Sequence, residues 1–257
     1  MHPEPLYADI GCKQCASGEL LGFDFSMALQ PIVRLSSREI YAQEALVRGL
    51  GGESAATIFA GVTDKNRYRF DQSCRVKAIK LAAELQIKSL LSINFMPNAV
   101  YKPELCIRTT LEAAKEYGFP PERIIFEITE GEEIENRQHL QDIVDYYQKT
   151  GFRTAIDDFG AGYAGLNLLA DMQTDIVKLD MALVRNIDKD RNRRIITNGI
   201  LQVCRDLGID VIAEGIETPG ELAILVDLGI DLFQGYHFAR PAFEAVAEVP
   251  ATAFELA

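Results

Sequence analysis

Residues 154–166 read TAIDDFGAGYAGL and place two adjacent carboxylates, Asp157 and Asp158, between a short apolar run and a glycine-spaced stretch. Neighbouring like charges repel, and burying either is costly unless a partner or a cation compensates. Alone, the segment reads equally well as a strand-ending loop, since Asp and Gly are turn residues. Other polar residues at the ends of apolar runs shift that balance. Glu44 lies in IYAQEALV, Asn94 in SLLSINF, Glu127 in IIFEIT, Lys178 and Asp180 in IVKLD, Glu214 in VIAE and Gln234 in LFQ. One such acid would read as a satisfied ion pair; a whole set does not. Side-chain oxygens without His or Cys favour hard cations such as Mg²⁺ or Mn²⁺. Adjacent aspartates let one carboxylate bridge two ions while the next completes the second shell. Two ions about 3.5–4 Å apart clamp the attacking and leaving oxygens of a phosphoryl displacement. A lysine among them orients or polarises the attacking water. Residue types and spacing thus reach a metal-dependent enzyme of phosphate chemistry, without reaching its substrate.

These residues need elements to bring them together. The runs Phe25–Leu35 and Ile40–Val47, joined by four polar residues, predict an antiparallel hairpin. Further strands are expected at Ser89–Phe95, Ile124–Thr129, Arg153–Ile156, Ile176–Leu179, Val211–Ala213 and Leu232–Gln234. Between them, 3.6-residue periodicity and stop signals predict helices at Phe70–Ile87, Glu104–Tyr117, Glu135–Lys149, Tyr163–Ala170, Asn192–Leu207 and Pro219–Leu228, with another after Pro241. Alternating strands and helices mean βαβ units. Eight such strands predict an α/β fold, a TIM-like (β/α)₈ barrel with an antiparallel first strand; a doubly wound open sheet is the alternative. A barrel gathers its C-terminal strand ends on one face, where such folds carry their sites.

The length of 257 residues suits one such barrel, and 48% hydrophobic with 25% charged residues is ordinary globular composition. The net charge of −12 argues against binding polymeric nucleic acid or an anionic membrane surface. It leaves room for a small phosphate ligand, because bound cations reverse the local field. Five scattered cysteines read as free thiols in a reducing compartment. The N-terminal residues lack the pattern of a signal peptide, and no apolar run approaches a bilayer span, so a cytoplasmic location is expected.

The motifs QEALVRG (Gln43–Gly49), SINFMP, FEITE, IDDFGAGYAGL, IVKLD, IAEGIE and QGYHFARP occur in that order between Met27 and Pro241. Together they resemble the EAL domains, the cyclic di-GMP phosphodiesterases. The resemblance implies a barrel with an antiparallel first strand over residues 23–257, with residues 1–22 as an N-terminal extension. It implies that Glu44, Asn94, Glu127 and Asp157 bind one Mg²⁺ or Mn²⁺, and that Asp157 bridges to a second held mainly by Asp158. Lys178 would hold the catalytic water, Glu214 would support the metal centre and Gln234 would help orient the water. Arg48 would meet a substrate phosphate, Glu217 would lie near the substrate and second metal, and Glu130 would brace the loop 159–166. The implied reaction opens one phosphodiester bond of cyclic di-GMP to give linear pGpG, in a homodimer. Ala164-Gly165 stand where the family often has two serines.

Other features carry plainer readings. Cys12-Lys13-Gln14-Cys15 is a lone CxxC, half a zinc site or a redox pair at most. His2, His139 and His237 lack ligand spacing; the acidic run 130–135, apart from Glu130, reads as a solvated helix start and Arg191–Arg194 as an exposed helix face.

Overall fold

The computed structural model describes residues 21–100, 102–129, 136–162 and 165–255. Cys12, Cys15 and Glu130 lie outside the described residues. Strands β1 (Ser26–Arg34), β2 (Glu39–Arg48), β3 (Leu90–Asn94), β4 (Ile124–Thr129), β5 (Arg153–Phe159), β6 (Ile176–Leu179), β7 (Asp210–Ala213) and β8 (Leu232–Gln234) close into a barrel. Neighbours from β2 to β8 pair in parallel; β1 is antiparallel to both β2 and β8 and so closes the ring. Pro31 lies inside β1 next to a register shift, where the ladder can spare its missing N–H.

Helices α1 (Ala55–Phe59), α2 (Arg67–Glu84), α3 (Pro103–Cys106), α4 (Arg108–Tyr117), α5 (Arg137–Lys149), α6 (Gly165–Asp171), α7 (Met181–Val184), α8 (Arg191–Leu207) and α9 (Pro219–Asp227) accompany the strands. Their starts follow local chemistry. Asp190 caps α8 by accepting from the amides of Asn192 and Arg193, and Thr218 with Glu221 forms a capping box on α9. Gly208, left-handed at φ 71°, ends α8.

The expected elements are present with local differences. The segment expected as one helix over Glu104–Tyr117 is two, α3 and α4, interrupted at Ile107. The tail holds the two-residue strand β9 (Ala242–Phe243) on β1 and a 3₁₀ turn at Ala251–Phe254 in place of a final α-helix. The reading missed the short helices α1 and α7. Cys74, Cys106 and Cys204 are buried and form no disulfide. No helix among the described residues is long and apolar enough to cross a membrane.

Side chains alternate across a strand, and that period builds the site. Ile32, Ala42, Ile125, Ala155, Ile176, Ile212 and Leu232 form a closed apolar cluster inside the barrel, separate from the main core under the helices. Two residues further along β2, β4, β5, β6 and β8 come Glu44, Glu127, Asp157, Lys178 and Gln234, and Glu214 directly follows β7. The barrel is therefore plugged with hydrocarbon below and lined with polar groups at the C-terminal ends of its parallel strands.

Candidate active site

Lys178 stands at the centre of this polar layer, 1% exposed. Its Nζ lies 2.7 Å from Glu214 Oε1, 2.8 Å from Asp157 Oδ1, 2.9 Å from Glu127 Oε2 and 3.4 Å from Glu44 Oε2. Four carboxylates around one ammonium leave a net negative pocket. Burial alone would favour a neutral lysine, but Asp157, Glu127, Glu214 and Glu44 hold its pKa well above the usual value. Burial pushes Glu127 and Glu214 well above the usual carboxylate range, against the pull of Lys178. Burial acts on Glu44 as well, yet Lys178, Gln234 and Asn94 together bring it below its ordinary value.

The remaining contacts fix the acids. Ser92 Oγ donates to Glu127 Oε1 at 2.5 Å. Asn94 Nδ2 donates to Glu44 Oε1 at 3.0 Å, and Gln234 Nε2 to Glu44 Oε2 at 2.7 Å. Gln30, on the antiparallel strand, approaches Gln234 Nε2 at 3.4 Å.

Adjacent strand residues should face opposite sides, yet Asp157 and Asp158 both line the same cavities. The cause is a register shift in β5 between Ile156 and Phe159, with Asp158 left-handed at φ 53°. A bulge of this kind re-aims a side chain, and Asp is among the few residues that accept such a φ. The two loops next to the acids pack on α7. A Cβ on Gly160 would stand 2.5 Å from Leu183 Cδ1, and one on Gly215 would stand 2.5 Å from Met181 Cβ. Burial and then the charges of Asp157 and Asp180 push half-buried Asp158 up to about 6.

Two groups of carboxylates suit divalent cations. Glu44, Glu127 and Asp157 offer oxygens all within 4.8 Å of one another, and so do Asp157, Asp158 and Glu214. Asp157 belongs to both, and its buried Oδ1 accepts no well-aligned hydrogen bond despite the nearby ammonium. An oxygen-only donor set with an unsatisfied, shared carboxylate fits Mg²⁺ or Mn²⁺. Two cavities of about 290 Å³ and about 680 Å³ open on this cluster and share Glu44, Leu46, Asp157 and Asp158.

The structure thus brings together Glu44, Asn94, Glu127, Asp157, Asp158, Lys178, Glu214 and Gln234. Two expected substrate residues stand differently. Arg48 shares the face of Glu44 on β2, but its Nη1 donates to the Val47 carbonyl at 2.7 Å and it lines neither cavity. Glu217 lines the smaller cavity with its carboxylate paired to Arg185. Ser92 and Gln30 were missed, although strand alternation from Asn94 and Ile32 points to both. Tyr236, also missed, lines the smaller cavity under the Arg240 guanidinium, 4.1 Å from its ring centroid.

Fold and site define an α/β barrel protein with an acid-rich pocket at its strand ends. Residues 17–241 match the EAL domain, and the chain belongs to that family. The c-di-GMP-bound structure of a standalone versatile EAL protein from Vibrio cholerae O395 superposes with a TM-score of 0.88 at 56% identity, covering 91% of this chain and 98% of that one. The manganese/cy-diGMP complex of Klebsiella pneumoniae BlrP1 at pH 9.0 gives 0.83 at 36% identity, over 88% of this chain and 58% of that one. Among Escherichia coli K12 proteins, the blue light- and temperature-regulated antirepressor BluF is 32% identical over 94% of this chain. The probable cyclic di-GMP phosphodiesterase PdeA is 34% identical over 58% of this chain. The chain spans 60% of BluF and 20% of PdeA.

Proposed function

We propose that this chain is a cyclic di-GMP phosphodiesterase that uses two divalent ions, Mg²⁺ or Mn²⁺, to hydrolyse one phosphodiester bond and release linear pGpG. The observation that carries this reading is the pair of carboxylate groups sharing Asp157 around Lys178. Glu44, Asn94, Glu127 and Asp157 would hold one ion, and Asp157 with Asp158 the other, with Glu214 in support. When bound, such ions acidify a water and neutralise charge on the transferring phosphoryl group. The protein's own part is positional and electrostatic. Lys178, charged and immobilised by its acids, orients the attacking water and offsets negative charge as it develops. Gln234, tied to Glu44, fixes a second direction for that water. Arg48 would swing from the Val47 carbonyl to a substrate phosphate, and Glu217 would face the substrate from the rim. Glu130 is carried as a brace for the 159–166 loop. The proposal includes a cytoplasmic homodimer and a catalytic unit over residues 23–257 behind the 1–22 extension.

The similarity to BluF, named an antirepressor, favours one second reading: a binding module without turnover. One experiment separates the two. The chain is incubated with cyclic di-GMP and Mn²⁺, and products are resolved by chromatography. Conversion to pGpG, abolished in Glu44→Ala, is expected. Tight binding without product, in a folded and metal-loaded protein, would replace the first reading with the second.

A further inference from the structure

Behind the acid layer, between α2 and strands β3 and β4, lies a charge that the proposed chemistry does not use. Arg75 is wholly buried, and so is Asp71 one helical turn before it; Arg75 Nη2 lies 2.8 Å from Asp71 Oδ2. Asp71 Oδ2 also accepts from Gln72 Nε2 at 3.2 Å, so the carboxylate is matched and the guanidinium only in part. Arg75 Nε and Nη2 make no aligned hydrogen bond, and only Nη1 donates, to Tyr147 Oη at 2.9 Å. Burial keeps Asp71 above the usual carboxylate range in spite of Arg75. Replacing a buried pair by apolar residues of similar volume is often neutral or stabilising, so stability alone does not explain one here.

Its contacts point instead toward the acid layer. Asp71 Oδ1 accepts from the backbone amide of Met96 at 2.9 Å, two residues beyond Asn94. The Arg75 guanidinium lies 5.3 Å from the Phe95 ring centroid and 4.9 Å from that of Phe126. Phe95 follows Asn94 and Phe126 precedes Glu127, and these two rings meet edge-on at 5.7 Å. The Phe95 amide donates to the Glu127 carbonyl at 3.1 Å. The backbone leaving β3 is therefore pinned on one side by β4 and on the other by a helix carboxylate that Arg75 holds in place.

We infer that Asp71 and Arg75 are a positioning pair, which sets the Asn94–Met96 backbone so that Asn94 and Glu127 stand ready for a divalent cation. The inference rests on the metal-dependent reading above. Groups that orient metal ligands typically change affinity about 10–100-fold when removed.

The test compares two double variants of the full chain with the wild type. Asp71→Leu with Arg75→Met replaces the pair by hydrocarbon and removes the Met96 acceptor. Asp71→Asn with Arg75→Met removes both charges and keeps an oxygen for that amide. The readouts are melting temperature in EDTA, hydrogen exchange of residues 92–98 in EDTA, and Mn²⁺ affinity by calorimetry. The Leu/Met protein should melt no lower than the wild type, exchange residues 92–98 faster and bind Mn²⁺ about tenfold more weakly. The Asn/Met protein should recover both local protection and affinity. Unchanged exchange and affinity in Leu/Met, or equal losses in both variants, would overturn the inference. If Leu/Met does not fold, Asn/Met decides alone: wild-type affinity supports the inference and a tenfold loss overturns it. Failure of both to fold would make the pair a stability element and overturn it too. A wild type that binds no Mn²⁺ refutes the metal reading, while the exchange data still judge the positioning.

Discussion

Lys178→Met removes the ammonium set among three buried carboxylates and the partly exposed Glu214, while keeping most of the stem that packs in the barrel. Nζ lies within 3.4 Å of all four. Breaking a buried ion pair from one side costs about 3–5 kcal/mol, and the acids here can relieve part of that by taking up protons, which points to about 3 kcal/mol. For a chain of this size that is a fall in melting temperature of about 6–12 °C. Glu127 and Glu214 already stand above the usual carboxylate range, and losing Lys178 raises them further. Between the unfolded and the raised folded pKa, the folded state binds more protons, so its stability rises as pH falls. The deficit should therefore shrink from about pH 8 to about pH 5. On the proposed metal reading, a Mn²⁺ ion held by these acids would supply the missing charge, so the variant should gain more from added Mn²⁺ than the wild type gains. Calorimetric melting in EDTA and in Mn²⁺, at both pH values, reads all of this. A variant that melts like the wild type in EDTA, or whose deficit grows on acidification, would refute the electrostatic reasoning.

Three further outcomes are expected. Gly235→Ala would put a Cβ 2.2 Å from the Ile216 carbonyl oxygen and displace Gln234 from Glu44; it should cost about 1–3 kcal/mol by melting and lower turnover more than tenfold. Asp158→Asn should melt no lower than the wild type, because Asn accepts the left-handed φ of 53° and removes a charge crowded by Asp157 and Asp180; turnover should nonetheless be lost. Glu221 is buried, but amides of Asn186, Glu217 and Thr218 hold its carboxyl below the usual range. Its contribution is present above the ordinary value near 4.3 and fades as pH falls through the depressed folded pKa, so Glu221→Ala should cost about 1–2 kcal/mol at neutral pH and less in acid.

The barrel was legible because two periods alternate along the chain: strand runs with interior apolar residues, then 3.6-residue stripes. The acid layer was legible because a polar residue two positions beyond an interior apolar one stays inside the barrel, as with Ile125 and Glu127 or Ile176 and Lys178. What escaped is what linear pattern does not encode. The strand is expected to end at Ile156, since Asp-Asp-Phe-Gly looks like a turn; a left-handed Asp158 instead carries it to Phe159. Helix α7, four residues long, is too short to show a period. Periodicity marks the helix expected over Phe70–Ile87 by its apolar face, yet the polar Asp71, Gln72, Ser73 and Arg75 of α2 are buried as well. Arg48 and Glu217 were found by motif, but their partners, the Val47 carbonyl and Arg185, are matters of rotamer and loop shape.

The central claim is that two divalent ions share Asp157. Titrating the metal-free protein with Mn²⁺, followed by electron paramagnetic resonance and calorimetry, tests it without reference to turnover. The account predicts two ions per chain with a spin-coupled spectrum, falling to uncoupled or single-site binding in Asp157→Ala. One isolated ion per chain in the wild type, or none, would contradict it.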